Sequence, residues 1–500
     1  MNTSVGKEIT HYRLSKSKIG SGSQCEKRLY LEVHHPELMK ISPAAQARFD
    51  TGHVVGEAAR NLYPDGILVG HTKELPKALA DTRALLARDG ILTLFEPAFE
   101  ANGVLVRCDI LKRTRKRNYH LIEVKSATTL KEYHLLDAAA QAYVLKQAGL
   151  TLGKVEIALI NTKFVYDGAG GYADLFIYEE VTQRIAELEA DIPTLVKRLR
   201  AMLAGRMPKV AIGPHCHNPF ECPFQAQCWP KAAYPVWTLP HGGKLIWALL
   251  QDGYVELKDV PQSRLKSERH RRMWRTVKRG TPVLSPDARK RLGALPYPRY
   301  YLDFETVMFA VPVWKGTRPY EALPFQFSCH VEQKDDHVDH IEFLHDEGTP
   351  PMRAFAEAVI EAVGKRGPVL VYSHYEKRIL NALAVRFPNL KQELAAIMRR
   401  LVDLRPITEQ SYYHPAMQGS WSIKSVLPTI APELDYEELG EIHDGGAASV
   451  AYLELIAGDT TAERRQTLRG GLLKYCERDT LAMIEVARFL QHGKRRKQGE

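Results

Sequence analysis

Two short patterns in this chain could do metal chemistry. In the stretch from Arg107 to Ala127, Asp109 closes one apolar run and Glu123-Val124-Lys125 lies in the next. Glu123 and Lys125 are two apart, so on a strand both side chains leave the same face. Two carboxylates beside an ammonium can hold a hard divalent cation through oxygen, while the lysine orients or activates a water and offsets charge on phosphorus. The second pattern begins with Asp303-Phe304-Glu305, again one face of a strand, and continues at Tyr475 and Asp479, which share one helical face at i and i+4. Between them stand Glu376, just inside a helix beginning at His374-Tyr375, and Asp403 in the run LVDLRPI. Any one acid-x-acid triplet is commonly a solvated strand edge, so the order and spacing of the set carry the reading.

A third group is made of thiols. Cys216, Cys222 and Cys228 follow a C-x5-C-x5-C spacing, and Cys25 lies far upstream after a Gly/Ser turn. Seven cysteines, an odd number, with no apolar leader in the first residues, argue against a disulfide framework. Four thiolates can hold a 4Fe–4S cluster or a zinc ion, and zinc usually takes close C-x2–4-C pairs that are absent here. His215 or His217 could replace one thiolate in either case. Tying Cys25 to Cys216 closes a loop of about 190 residues, which lowers the entropy of the unfolded chain.

The elements that must position these groups give an α/β chain. A helix is predicted over residues 43–63, then the strands around Asp109 and Glu123, then a helix over 131–149 with Asp137 and Gln141 on one face. Strands follow over 154–166 and 173–179, and an amphipathic helix over 180–204. Residues 233–295 read as a bridge: helix, glycine turn at Gly253, helix, faintly similar to a helix–hairpin–helix, then a run over 264–279 dense in Lys and Arg around Trp274. That run is either a solvated basic face or a patch that tracks a phosphate backbone. Further on, Tyr413, His414, Trp421 and Lys424 combine ring surface with charge, as single-strand grips do, although a packed turn would look the same. The net charge of +10 over 500 residues favours a polyanionic partner. No apolar run approaches the ~20 residues that span a bilayer, so no membrane is expected and the cytoplasm is the expected compartment.

Asp109 with Glu123-Val124-Lys125 resembles the PD-(D/E)XK nuclease superfamily. With one upstream and three clustered cysteines, the chain more narrowly resembles the RecB-like branch that carries an iron–sulfur cluster, including CRISPR-associated exonucleases. The resemblance implies a restriction-endonuclease-like domain over residues 1–232, with magnesium or manganese at Asp109 and Glu123. It also implies Lys125 in catalysis, Gln141 (with Tyr143) near substrate, and a 4Fe–4S cluster on Cys25, Cys216, Cys222 and Cys228. One position departs from the family: the histidine expected four residues after Gly52 is Gly56, leaving His53 or Glu57 as stand-ins.

The second set resembles the DEDDy 3′–5′ exonucleases of the ribonuclease H-like fold, over residues 296–492, and the block is similar to a bacterial domain that commonly follows a RecB-like nuclease. That implies two divalent ions on Asp303, Glu305, Glu376 and Asp479, with Tyr475 orienting water. The family's second acid is usually aspartate after an aromatic, and here it is Glu376; Asp403 is an alternative fourth ligand. Residues 493–500 are expected to be a basic tail. The expected activity is metal-dependent hydrolysis of DNA ends or single strands, with Trp274, Trp421 and Lys424 as contacts. A nucleic-acid-binding or partner-docking protein with degenerate sites, and an RNA exonuclease, are the alternatives.

Overall fold

The computed structural model describes residues 12–70, 74–90, 92–114, 118–434 and 436–494. The middle of the expected basic turn at 115–117 and most of the expected tail lie outside these residues. The chain is mixed α/β and divides into two compact units, one running to Trp229 and including Phe309–Tyr320, the other comprising Pro230–Met308 and the chain from Glu321 onward.

The first unit is built on a sheet whose six strands lie side by side in chain order: β1 (Ile67–Leu68), β2 (Leu92–Phe95), β3 (Ile110–Arg113), β4 (Tyr119–Val124), β5 (Leu152–Ile160) and β6 (Phe176–Glu180). β3 and β4 form an antiparallel pair, whereas β4 and β5 are parallel. A parallel pair needs a crossover, supplied here by the helix Glu132–Gln147. Ala138, Ala139, Ala140 and Ala142 are all buried on that helix, and their small side chains let it lie close to the strands. Residues 155–160 of β5 are buried throughout, the pattern of a strand covered on both faces. Before the sheet come α1 (Lys16–Gln24), α2 (Glu26–His34) and α3 (Pro43–Arg60); the crossover is α4 and Ala186–Ala204 is α5. A Cβ on Gly22 of α1 would lie 2.7 Å from both Leu199 methyl carbons, so any larger residue there would have to displace Leu199 of α5.

Asp109 does not end a strand. The preceding strand, Val104–Arg107, belongs to a separate three-stranded sheet, and Asp109 sits in the link before β3. The strand predicted over 154–166 stops at Ile160, and the helix predicted from 180 begins at Ala186 because β6 and a turn occupy the intervening residues.

The second unit carries a five-stranded sheet. In chain order its strands are β7 (Arg299–Val307), β8 (Leu323–Glu332), β9 (Val338–Leu344), β10 (Val369–Val371) and β11 (Leu401–Asp403). Spatially they run β9-β8-β7-β10-β11, with β7 antiparallel to β8 and parallel to β10. Every residue of β8 is buried. Its helices include α6 (Lys244–Gln251), α7 (Glu268–Arg279), α8 (Met352–Ala362), α9 (Tyr375–Arg386), α10 (Leu404–Ser411), α11 (Gly445–Ile456) and the 31-residue α12 (Ala462–His492), N-capped by Thr461. Phe304 and Phe327 meet Phe355 of α8 edge to face at 4.9 and 5.6 Å.

Residues 233–295, expected as a separate bridge, share one core with the sheet. Val236, Leu249, Leu257, Val260 and Met273 pack with Tyr301, Leu370 and Tyr412. The expected second helix of the helix–hairpin–helix is replaced by two short 3₁₀ turns at Leu257–Asp259 and Gln262–Arg264. Trp274 is half-buried and donates its ring N–H to the Val260 carbonyl at 2.8 Å, which makes it a packing residue. Trp421 is 3 % exposed and donates to the Tyr412 carbonyl at 2.8 Å, with Tyr413 equally buried beside it. Neither ring face of Trp421 is open to a base, so its expected role as a nucleic-acid contact is corrected to one in the core. Trp421→Ala is expected to cost ~3–5 kcal/mol, as buried Trp truncations do, read as a lower urea midpoint. A loss under ~1 kcal/mol would mean that the ring is not core.

Candidate functional site

In the second unit, β7 presents Asp303 and Glu305 from alternate positions on one face, and α12 brings Asp479 to them. Carboxylate oxygens of these three residues lie within 4.8 Å of one another. Glu305 and Asp479 are almost fully buried. Tyr436 donates its hydroxyl to Asp479 Oδ1 at 2.6 Å. Lys424 Nζ donates to the Tyr475 hydroxyl at 2.9 Å and to the His443 carbonyl at 2.8 Å. Glu376, 3 % exposed at the start of α9, accepts from Ser373 Oγ at 3.2 Å and lies outside the group of three.

The electrostatics follow from burial of like charges. Burial first, then the neighbouring carboxylates Asp479, Glu305 and Glu376, push Asp303 well above the usual carboxyl range. Glu305 is pushed up to about 8 by burial and by Asp479. Burial pushes Glu376 up to about 7. Burial and the three acids also raise the Tyr475 phenol, so it keeps its proton. A donor set of oxygens alone suits magnesium or manganese and not a soft metal.

Asp403 does not join this group. It caps α10, accepting from the Arg405 amide at 2.9 Å, and its expected role as a fourth ligand is corrected to that of a helix cap.

In the first unit, Asp109 and Glu123 lie near enough for each carboxylate to act on the other. The Val124 amide donates to Asp109 Oδ2 at 2.6 Å. Glu123 is buried, and Lys16 and Lys125 both reach its Oε1, at 2.6 and 2.9 Å. Gln141 donates to its Oε2 at 2.7 Å, and Lys125 also pairs with Asp137 at 2.6 Å. Burial and Glu123 push Asp109 up to about 7. Burial alone would raise Glu123 too, but the Lys125 and Lys16 ammonium groups hold it well below the usual range. Tyr143 points elsewhere, accepting from Asn102 at 2.7 Å. His53 and Glu57 are exposed on α3, which packs through Val55, Ala58 and Ala59.

The four cysteines meet. Cys25, Cys216, Cys222 and Cys228 line one cavity with Arg28, His215 and Trp229, and all are free thiols. Gln24 ties this loop to α1, donating to the carbonyls of His215 and Phe220 at 2.6 and 2.7 Å. Among the described residues no three of these sulfurs lie within 4.8 Å of one another.

Two residues at the sites carried no usable signal in the sequence. Lys16 is 107 positions from Glu123, and Tyr436 is 43 from Asp479. Lys424 was read as a nucleic-acid contact, and in the structure its ammonium donates to the Tyr475 hydroxyl.

A family profile described as a domain of unknown function (DUF2779) matches residues 300–422. That span holds Asp303, Glu305 and Glu376 and ends before Lys424, Tyr475 and Asp479. No curated protein matches the chain. A solved structure described as "Crystal structure of SSO0001" is similar at 13% identity over 39% of this chain and 79% of that chain, with a TM-score of 0.21.

The raised acids set a pH dependence. Unfolded carboxyls ionise near ~4–4.5, whereas Glu376 and Glu305 fold with values of about 7 and 8. Between those limits the folded state binds more protons, so stability is full below the lower value and is lost as pH rises through the upper. The metal-free chain is therefore expected to melt several degrees lower at pH ~8 than at pH ~5, with manganese reversing the loss and Asp303→Asn shrinking it. A midpoint flat across that range would show that the acids do not crowd one another.

Proposed function

We propose that the second unit hydrolyses phosphodiester bonds in a metal-dependent way, as a DEDDy-like 3′–5′ exonuclease acting on single-stranded or frayed DNA ends. The observation that carries this reading is the convergence of Asp303, Glu305 and Asp479, drawn from a strand and a helix far apart in sequence. The sheet order β9-β8-β7-β10-β11 is compatible with a ribonuclease H-like fold. Asp303, Glu305 and Asp479, with Glu376 at the rim, would hold magnesium or manganese, which when bound supplies Lewis-acid polarisation and a more acidic water. Tyr475 keeps its proton and can donate it in a hydrogen bond to the attacking water or a phosphate oxygen. Lys424 fixes that hydroxyl and adds positive charge where a phosphate would arrive. Tyr436 holds Asp479 in place.

The first unit is proposed as a RecB-like nuclease with Asp109 and Glu123 on the metal and Lys125 beside the attacking water, its four cysteines holding a 4Fe–4S cluster. What supports the cluster over zinc is spacing. Cys216, Cys222 and Cys228 follow a C-x5-C-x5-C spacing with Cys25 far upstream, without the close C-x2–4-C pairs that structural zinc sites usually use. The net charge of +10 supports a nucleic-acid partner. No described helix is long and apolar enough to cross a membrane.

A second reading applies to the first unit alone. Both Glu123 oxygens are already taken by Lys16, Lys125 and Gln141, as in a closed ion-pair network that binds nucleic acid without cutting it.

Release of nucleotides from end-labelled single-stranded DNA and RNA, with manganese, decides among these. Asp303→Asn is expected to lower 3′ release by at least ~100-fold, and unchanged release would overturn the exonuclease reading. In that background, cleavage that remains and is lost in Lys125→Ala assigns a second active site; no remaining cleavage favours the closed network. Anaerobically purified protein should show a broad band near about 400 nm with iron in excess of zinc; a colourless zinc protein would exclude the cluster.

A further inference from the structure

The second unit holds another group of ligating side chains, away from the three acids on β7 and α12. His330 of β8 and His340 of β9 are directly paired across the two strands, their rings stacked with centroids 4.4 Å apart. Glu477, on the outer side of α12, faces His340 Nδ1 at 3.9 Å. One ligand atom from each of the three lies within 4.8 Å of the others.

A chain of hydroxyls connects the two imidazoles and suggests an assignment for their protons. Thr480 Oγ1 donates its single hydrogen to the Glu477 carbonyl at 3.0 Å. It lies 2.7 Å from Ser328 Oγ and 2.8 Å from His330 Nδ1, and with its hydrogen spent it can only accept from both. Ser328 therefore gives its hydrogen to Thr480 and can only accept from His340 Nε2, 2.9 Å away. With the Thr480 hydrogen placed on the Glu477 carbonyl, the network assigns His330 its proton on Nδ1 and His340 its proton on Nε2. The nitrogens left with lone pairs are His330 Nε2 and His340 Nδ1, the latter turned toward a carboxylate. Fixing one ring nitrogen through a second partner so that the other is free to ligate is what protein metal sites do with histidine.

We propose that His330, His340 and Glu477 bind a borderline divalent transition ion of the zinc class, distinct from the magnesium or manganese of the acid site. Two neutral imidazoles and one carboxylate suit zinc and leave a position for water. The ion would clamp the β8–β9 hairpin to α12, the helix that carries Tyr475 and Asp479.

Zinc also has the cysteine cavity and the acid site to bind, so the test is differential. The full chain is stripped with chelator and titrated calorimetrically with zinc alone, comparing wild type with His340→Ala, Ser328→Ala and Asp303→Asn. His340 and Glu477 lie at the surface, so His340→Ala leaves the core intact. The expected result is one zinc equivalent fewer in His340→Ala and retention of that equivalent in Asp303→Asn. In Ser328→Ala, where only the hydroxyl relay is cut, affinity at this site should fall ~10–100-fold. Equal zinc stoichiometry in wild type and His340→Ala overturns the proposal, as does loss of the same equivalent in Asp303→Asn. Because the exonuclease reading is tested by nucleotide release in Asp303→Asn, either idea can fail without the other.

Discussion

Like charges repel most strongly where water is excluded, and the second unit places Asp303, Glu305 and Asp479 in such a spot. Left alone, these groups favour protonation or separation. The fold prevents separation. β7 is paired with β8 along its length and with β10 at Tyr300 and Tyr301, so the backbone that carries Asp303 and Glu305 is held in place. Asp479 is fixed by α12, whose buried side chains, Leu468 to Leu490, anchor it over the sheet. The hydrophobic contacts of Phe304, Phe327 and Phe355 directly beneath thus offset an electrostatic cost in the layer above them. A divalent cation would remove that cost, and the proposed chemistry follows from the same repulsion.

The first unit meets a similar problem with a different device. Its acids are buried too, but Lys16 and Lys125 supply positive charge from within the chain. Glu123 is consequently held ionised while Asp109 is pushed up. A site already balanced by two ammonium groups has less to gain from a metal than one with Lys424 alone at its edge. This difference in charge count, Asp303, Glu305, Glu376 and Asp479 with one lysine against Asp109, Glu123 and Asp137 with two, is why the exonuclease reading rests on the second unit.

What could be read from the sequence was what repeats over short distances. Period-two spacing put Asp303 and Glu305 on one face, and i, i+4 spacing put Tyr475 beside Asp479. The three clustered cysteines and Cys25 were visible as an odd remainder among free thiols, and the structure places all four around one cavity. Burial, by contrast, left no local trace. Trp421 and Trp274 lie among charged and small residues, which looks like an exposed grip, yet their surroundings are supplied by Tyr412, Val260 and distant core residues. The bridge failed for the same reason: its apolar positions face a sheet that the sequence reaches only later. Lys16 and Tyr436 were beyond reach because a partner about 107 or 43 residues away has no period.

Glu376 shows how a departure from a family pattern can be read physically. A glutamate places its carboxylate one methylene farther from the backbone than an aspartate would. Here the extra length is restrained, because Ser373 holds Oε2 and the neighbouring Tyr375 hydroxyl is engaged by Thr306 on β7 itself. The start of α9 is thereby tied to the strand that bears the other two acids. Glu376 senses Asp479 and Asp403 from where it stands and is raised by burial first, so it behaves as a member of the cluster held at its margin. A carboxylate in that position is poised to approach a metal by a rotation of its own side chain, with the backbone fixed. Under the proposed reading, the glutamate would change how a fourth oxygen reaches the metal, and the three-acid group would carry the binding.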